Sequence, residues 1–480
     1  MKLYNTLSKS IEKIEIPKDQ EVGLYACGPT VYDYTHLGHL RKYTLDDVLV
    51  RALRKDGFKV KHVQNITDVG HLSDDGDTGV DKLEKGAKKY GESVWDLAKR
   101  FEKYFWHSMD MIGVEKPDIS CRATDHIEQQ LEMVKTLEKK GFTYIIEGDG
   151  VYFDTSKLDD YGKLARLNIE DLKEGARVET KGKKNSTDFA LWKFEREGEN
   201  RAMVWDSPWH ERSFPGWHIE CSAMSMHYLG DQFEIHTGGI DHIPVHHTNE
   251  IAQAEASTGK KPFVKVWVHH NFLQIEGEKM SKSLGNVFTI DDVVEKGFDP
   301  QALRLLFLTG HYRSEMNFTW DNLAGTQKAW NKLLKTVVTL RSKVKSDQVF
   351  KDKDKSKLVD GYHNDFFESI NNDLNTSMAL ATLWEVVKEK KLSAKDKLFL
   401  MLEFDNVLGL GLENSAIDQK ANLEGLNKAQ VPEKVLELLD LRNKAREAKD
   451  WQKSDQLRDE IAELGFKVTD ETNGQQIARL

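Results

Sequence analysis

Four side chains in two short runs carry the strongest chemical signal of this sequence. His36-Leu37-Gly38-His39 sets two imidazoles three positions apart around a glycine, where a strand gives way to a helix. The N–H groups of a helix start are unsatisfied and carry the positive end of the dipole, so phosphate binds there. The imidazoles add donors, and Gly38 lets a nucleotide approach the backbone. Alone, this spacing is a weak signal. The second run, Lys279-Met280-Ser281-Lys282-Ser283 before Leu284-Gly285-Asn286, gathers two lysines, hydroxyls and a glycine. Such a loop clamps charge that develops on a transferring phosphoryl group. As a basic surface loop it would do nothing; the run upstream weighs against that reading.

A further set has the chemistry of a metal centre. Cys27 ends a strand, Cys221 falls at a helix start, and His246 and Glu250 stand i, i+4 on one helix face. Two thiols, an imidazole and a carboxylate suit tetrahedral zinc. The chain contains no CxxC, however, and the four are scattered. From spacing alone the metal reading is weak, and each cysteine by itself reads better as a small buried hydrophobe. His247 reads as a bystander, turned about 100° from its neighbour by helical periodicity.

The elements that position these residues follow from hydrophobic spacing. Glu21–Cys27 is a short strand ending in a Gly28-Pro29 turn. Leu45, Val48, Leu49, Ala52 and Leu53 recur at helical period, with Gly57 as the stop, and a second strand runs from Lys59 to about Ile66. Strand, helix, strand is a βαβ unit, so the fold class is α/β with a Rossmann-like parallel sheet. Residues 70–82, with Asp74, Asp75 and Asp77, lack periodicity and read as a solvated loop rather than a cation site. Polar, Gly/Lys-rich composition from Lys173 to Asn185 marks a connection inside an inserted module. Sheet chemistry resumes near Met203-Val204-Trp205 and continues to Val264–His269.

From about residue 320 the chain reads as amphipathic helix, closing on a short strand at Gly465–Asp470. Lys328–Lys357 carries ten basic residues against three acidic, a net +7. That run is either a solvated helix face or the footprint of an RNA backbone. The whole chain of 480 residues has net charge −10, which excludes nucleic-acid binding by overall basicity and leaves only local patches. Three cysteines, an odd count, exclude a disulfide framework and fit a reducing cytoplasm; no apolar run reaches a membrane span, and no internal repeat is found.

The pairing of HLGH with KMSKS resembles the two signatures of class I aminoacyl-tRNA synthetases. The surrounding words resemble the cysteinyl-tRNA synthetases among them: Cys27-Gly28-Pro29-Thr30-Val31-Tyr32-Asp33-Tyr34, Asn65-Ile66-Thr67-Asp68, Asp188-Phe189-Ala190-Leu191-Trp192-Lys193 and Pro215-Gly216-Trp217-His218-Ile219-Glu220-Cys221. The likeness extends to Gly310-His311-Tyr312-Arg313-Ser314 and to Lys449-Asp450-Trp451 with Leu457-Arg458-Asp459-Glu460, so it covers essentially the whole chain.

That resemblance implies ligation of L-cysteine to its tRNA through a cysteinyl-adenylate, with ATP and Mg²⁺ as substrate. It places catalytic roles on His36, His39, Lys279 and Lys282, and ATP contacts on Gly38, Gly238, Gly239, Asp241 and Lys282. One zinc per chain falls on Cys27, Cys221, His246 and Glu250, while Cys121 matches no ligand. A metal binds a substrate thiol as thiolate, which separates cysteine from serine where pocket shape cannot. Thr67, Trp217 and His236 line the cysteine pocket by resemblance. Thr237, His242 and Thr248 stand where the family more often has Gly, Leu and Glu, which puts the adenosine pocket's fine shape in question. Arg442, Arg446, Trp451 and Arg458 are the implied tRNA contacts, by stacking and base-edge or phosphate bonds; residues 431–460 hold seven basic and eight acidic side chains, so charge alone does not flag them, and from the residues alone an amphipathic packing helix reads equally well.

The expected layout is a catalytic domain in two halves, residues 1–115 and 201–275, around an inserted module at 116–200. A KMSKS and stem-contact region follows at 276–325, then a helical tRNA-binding domain at 326–415 and an anticodon module at 416–480. A cytoplasmic monomer without membrane contact is expected. Two rivals remain: a relative that joins activated cysteine to an amino sugar, which usually lacks the C-terminal module, and a degenerate RNA-binding protein, against which both intact signatures argue.

Overall fold

The computed structural model describes residues 1–15, 20–70, 81–167, 182–281, 284–344, 357–415, 432–448, 450–471 and 474–479. Lys282 and most of the 70–82 and 173–185 segments lie outside the described residues. Five strands form one sheet, in the order Val264–His270, Phe233–Gly239, Glu21–Ala26, Lys59–Ile66, Ile119–Arg122. Every pairing is parallel. The order reverses between Glu21–Ala26 and Phe233–Gly239, so connections leave the sheet in opposite directions there and open a crevice beyond their carboxyl ends. Both chemical clusters stand at that crevice.

The helix between the first two strands is Leu37–Lys55. Leu37, Leu40, Leu45, Val48, Leu49, Ala52 and Leu53 are buried at helical spacing. The helix stops after basic Arg54 and Lys55, and Gly57 takes φ 91°, a left-handed turn that favours glycine. The second strand runs Lys59–Ile66, as expected, and is buried almost throughout from Val60 on, as befits a strand inside a parallel sheet.

Between Ile119–Arg122 and Phe233–Gly239 the chain builds a separate antiparallel sheet of Thr143–Ile146, Gly150–Phe153, Phe189–Phe194 and Ser213–Pro215. Its last strand lies past residue 200, and Ile119–Arg122 belongs to the parallel sheet. Trp192 and Trp267 are fully buried and share one core with Tyr25, Cys27, Cys121 and Cys221.

The chain divides into two compact units. The first comprises Met1–Gln327, Gly361–Trp384 and Asn406–Leu410; the second comprises Lys328–Asp360, Glu385–Asp405 and Gly411–Leu480. In the first, Asp373 accepts from the backbone N–H of Tyr4 (2.8 Å), the Tyr312 hydroxyl (2.5 Å) and Arg313 Nε (2.8 Å). Residues 361–384 thus help complete the unit that carries the crevice. In the second, Glu433–Glu447 and Trp451–Glu463 pair as helices over Val435, Leu438, Leu457 and Ile461, and a hairpin of Phe466–Glu471 and Gly474–Arg479 closes the end. The expected terminal strand is therefore one arm of a hairpin. No helix among the described residues is long and apolar enough to cross a membrane.

Candidate active site and metal centre

His36 caps the Leu37–Lys55 helix, its ring accepting the His39 N–H at 3.4 Å, and the two imidazoles stack with centroids 3.6 Å apart. The KMSKS segment comes to this same helix start. The Leu37 N–H donates to Phe288 O at 2.9 Å, and His36 bridges to Thr289. Met280 lies so close over Gly38 that a Cβ there would stand 2.4 Å from its methyl. Lys279 ends the Glu278–Lys279 strand, paired with Gln274, and Asn286 closes the loop by bonding the Ser281 N–H (2.8 Å) and Lys279 O (3.2 Å). The two runs are neighbours.

The metal-type residues converge at the same crevice. Cys27 follows the Glu21–Ala26 strand, Cys221 lies in the Trp217–Leu229 helix, and His246 and Glu250 occupy the first two turns of His246–Thr258. One donor atom from each lies within 4.8 Å of all the others, and all four residues are buried. His246 Nε2 is 3.0 Å from Glu250 Oε1, and its Nδ1 meets His218 Nδ1 at 3.0 Å. Burial opposes ionisation of Glu250, but the facing His236 and His246 more than reverse it and hold the carboxyl near about 2. Burial also opposes charge on His246; Glu250 and then Cys221 carry it up to about 10. The thiols go the other way: burial pushes Cys27 up, and the Cys27 hydrogen bond together with burial pushes Cys221 up. Two buried thiols, an imidazole and a carboxylate are the donor set of a tetrahedral zinc site, whose ligands bind deprotonated, so a dication would displace protons from the thiols and from His246. The residues fit the zinc that the family resemblance implies.

His247 departs from the bystander reading. Its Nε2 stands 3.3 Å from Cys27 Sγ, its Nδ1 2.7 Å from His269 Nε2, and His269 Nδ1 2.7 Å from Thr6 Oγ1. The angular argument fails because Glu250 sits one turn on, between the directions of His246 and His247. A residue three positions on is rotated about 60° one way, and one four on about 40° the other. Both histidines therefore reach one carboxylate.

Thr67 Oγ1 donates to Glu220 Oε2 at 3.0 Å and accepts from Asn65 Nδ2 at 3.0 Å, all buried. Trp217 stacks on His246 at 4.6 Å, and His236 Nε2 meets Glu250 Oε2 at 3.0 Å. All three expected pocket residues are thus tied to the metal-type cluster or to the helix carrying Cys221. Gly238 packs against the His247 ring, Asp241 is exposed, and His242 is driven down to about 4 by burial beside the same imidazoles. Gly28 admits only hydrogen: a Cβ would stand 1.5 Å from Asn65 O.

Sequence reasoning missed Lys42, whose ammonium donates to Cys27 O at 2.7 Å and pairs with Asp46 at 2.7 Å. It also missed Glu220, His218 and His269; the histidine richness of the stretch was the available signal. In the second unit Trp451 is exposed and Arg458 pairs with Asp455 at 3.2 Å. Arg442 is fully buried, which corrects its expected place on an RNA-facing surface. It shares the inward stripe of Val435 and Leu438, at i, i+3 and i+7.

Residues 13–328 match the family described as tRNA synthetases class I (C) catalytic domain, and residues 428–477 the Cysteinyl-tRNA ligase anticodon binding domain. The chain is 41% identical to the Cysteine–tRNA ligase of Treponema denticola, over 98% of each chain. To the Cysteine–tRNA ligase 1 of Burkholderia lata it is 44% identical over 99% of this chain and 96% of that one. In fold it is similar to Mycobacterium tuberculosis methionyl-tRNA synthetase in complex with methionyl-adenylate, with TM-score 0.56 and 15% identity over 86% of this chain and 95% of that one. Matches of this extent and identity place the chain in the cysteinyl-tRNA synthetase family of class I aminoacyl-tRNA synthetases.

Proposed function

We propose that the chain activates L-cysteine with ATP and Mg²⁺ and transfers it to the tRNA for cysteine. The observation that carries this reading is the meeting of Gly38 and Met280 beside the buried cluster of Cys27, Cys221, His246 and Glu250. A carboxylate oxygen of cysteine attacks the α-phosphorus, the bond to the bridging oxygen breaks, and pyrophosphate leaves. An already ionised carboxylate needs no general base. His36, His39, Lys279 and Lys282 stabilise the charge gathering on the phosphates; Gly38, Gly238, Gly239 and Asp241 hold the nucleotide. The terminal ribose hydroxyl of tRNA then attacks the adenylate carbonyl and AMP departs. Cys27, Cys221, His246 and Glu250 would hold one zinc, which would supply a soft Lewis acid that favours the thiolate form of the substrate. Thr67, Trp217 and His236 shape the pocket around the substrate.

Arg446, Trp451 and Arg458 meet tRNA, while Arg442 holds their helix pair together. The catalytic domain, insert, stem-contact region, helical domain and anticodon module expected from sequence carry these steps, with Ile119–Arg122 counted to the catalytic sheet and residues 361–384 to the unit that holds it, and the chain acts as a cytoplasmic monomer. ATP–pyrophosphate exchange with each amino acid in turn, then tRNA charging, tests the reading. Exchange with cysteine alone, followed by charging of the tRNA for cysteine, is expected. Exchange driven equally by other amino acids would overturn it.

A further inference from the structure

We propose that Cys27, His236, His247 and Glu250 form a second seat for a divalent cation, overlapping the first and sharing two of its ligands. This rests on the metal reading above and extends it. The donor atoms of this second set also lie within 4.8 Å of one another, and all four residues are buried.

The carboxylate of Glu250 faces the histidines of both seats. Its Oε1 stands 3.0 Å from His246 Nε2 and 3.9 Å from His247 Nε2, and its Oε2 stands 3.0 Å from His236 Nε2. Cys27 is shared likewise: its sulfur belongs to the tetrad with Cys221, yet lies 3.3 Å from His247 Nε2. One pair of ligands is common, and two pairs alternate around it.

The histidines of each seat are held as metal-binding histidines are. Such an imidazole normally gives its second nitrogen to a partner that fixes its tautomer. In the first seat His218 meets His246 Nδ1 at 3.0 Å. In the second, His247 Nδ1 lies 2.7 Å from His269 Nε2, and His269 Nδ1 lies 2.7 Å from Thr6 Oγ1. With the Thr6 hydroxyl accepting at the end of that chain, the lone pair of His247 Nε2 faces Cys27. His236 Nδ1 is buried with no hydrogen-bond partner among the described residues, which leaves Nε2 as its working nitrogen. The second set offers one sulfur, two nitrogens and one oxygen, a donor mix that suits zinc or cobalt(II).

The two seats predict how metal binding fails. Cys27→Ser and Glu250→Gln damage both and abolish stoichiometric binding. Cys221→Ser damages only the first, so the full-length variant keeps about one zinc per chain, more weakly than the parent. Zn–S distances near 2.3 Å and Zn–N distances near 2.0–2.1 Å separate in X-ray absorption. The parent shell should contain two sulfurs, one nitrogen and one oxygen; the Cys221→Ser shell should contain one sulfur, two nitrogens and one oxygen. Adding His247→Gln to Cys221→Ser should then remove the zinc.

A Cys221→Ser protein with native circular dichroism that holds no zinc would overturn the proposal. So would a shell of one sulfur, one nitrogen and oxygens, or binding indifferent to His247→Gln. Should Cys221→Ser not fold, His246→Asn serves, with the same shell expected. A parent protein that binds no zinc would sink the metal reading itself, a different result from any of these.

Discussion

Met280 lies against Gly38: the methyl of the second residue of KMSKS occupies the space that a side chain at the third position of HLGH would need, 2.4 Å from where its Cβ would be. The His36 ring closes the same space from the other side of the helix start, 3.1 Å away. The two signatures are therefore packed together, and a change at one is felt at the other. Gly38→Ala should push the flexible Met280 side chain aside with little loss of stability, while slowing adenylate formation. Met280→Ala should relieve it. The double variant, read by pyrophosphate exchange, is expected to depart from additivity by about 0.5–3 kcal/mol. Strict additivity would mean the contact is absent when the reaction occurs.

The charge-bearing groups of both runs should act mainly in the transition state. His39→Ala and Lys279→Ala are each expected to lower the adenylation rate on the order of 10²-fold, as loss of one preorganised donor does. The KM for cysteine should change far less, since uniform binding is not what these groups supply. Lys282→Ala should behave alike. A variant with near-parent exchange would remove that residue from the site.

Asp373 should be a stability residue of the unit that carries the active site, although it lies in the helical half of the sequence. It takes the Tyr4 N–H, the Tyr312 hydroxyl and the Arg313 guanidinium at once while almost wholly buried. Asp373→Ala leaves those donors without their acceptor and should cost on the order of 2–4 kcal/mol, read by denaturant unfolding of the full chain. For the same reason, a chain cut near residue 325 should lose stability along with tRNA charging. Unchanged unfolding for Asp373→Ala would show the cluster to be dispensable.

How much of this was legible depended on how local each signal was. Leu37–Lys55 and Lys59–Ile66 could be read because their buried positions recur at short intervals, and Gly57 marks the stop. The order of the other sheet strands could not, because Ile119–Arg122 and Phe233–Gly239 are separated by an insert whose strands look alike in pattern. The four metal-type residues were named by family likeness; their convergence is a long-range fact that spacing does not contain. His247 was misread because a helical wheel weighs direction from the axis, whereas a carboxylate one turn on can serve two successive residues. Arg442 was named by family likeness, whereas its spacing from Val435 and Leu438 puts it on the inward stripe, where it is buried.

The exposed C-terminal residues should separate charging from activation. Trp451 projects into solvent at the start of its helix, and Arg458 shares that helix. Trp451→Ala and Arg458→Ala are expected to leave pyrophosphate exchange unchanged while weakening tRNA charging. The parent's charging should weaken as salt rises, because phosphate contacts release counterions. Arg442→Ala should instead lower the stability of the second unit. Parent-like charging by Trp451→Ala would place the RNA contacts elsewhere.

Removing the metal should remove the choice of substrate. Cysteine and serine differ by sulfur against oxygen, and a pocket of Thr67, Trp217 and His236 has no shape that separates near-isosteres by more than a small factor. The discrimination must then come from the cluster built on Cys27. Chelated protein that remains folded should show a steeply raised KM for cysteine and near-equal exchange with serine, both restored by added zinc. Cys27→Ser should reproduce the loss without being rescued. Cys121→Ser is the control: its thiol is buried 3.7 Å from Gln64 O, outside both donor sets, so metal content and discrimination should match the parent, with a stability cost of about 1 kcal/mol. A zinc-free protein that still rejects serine strongly would overturn the assignment, because pocket shape alone does not separate a thiol from a hydroxyl so well.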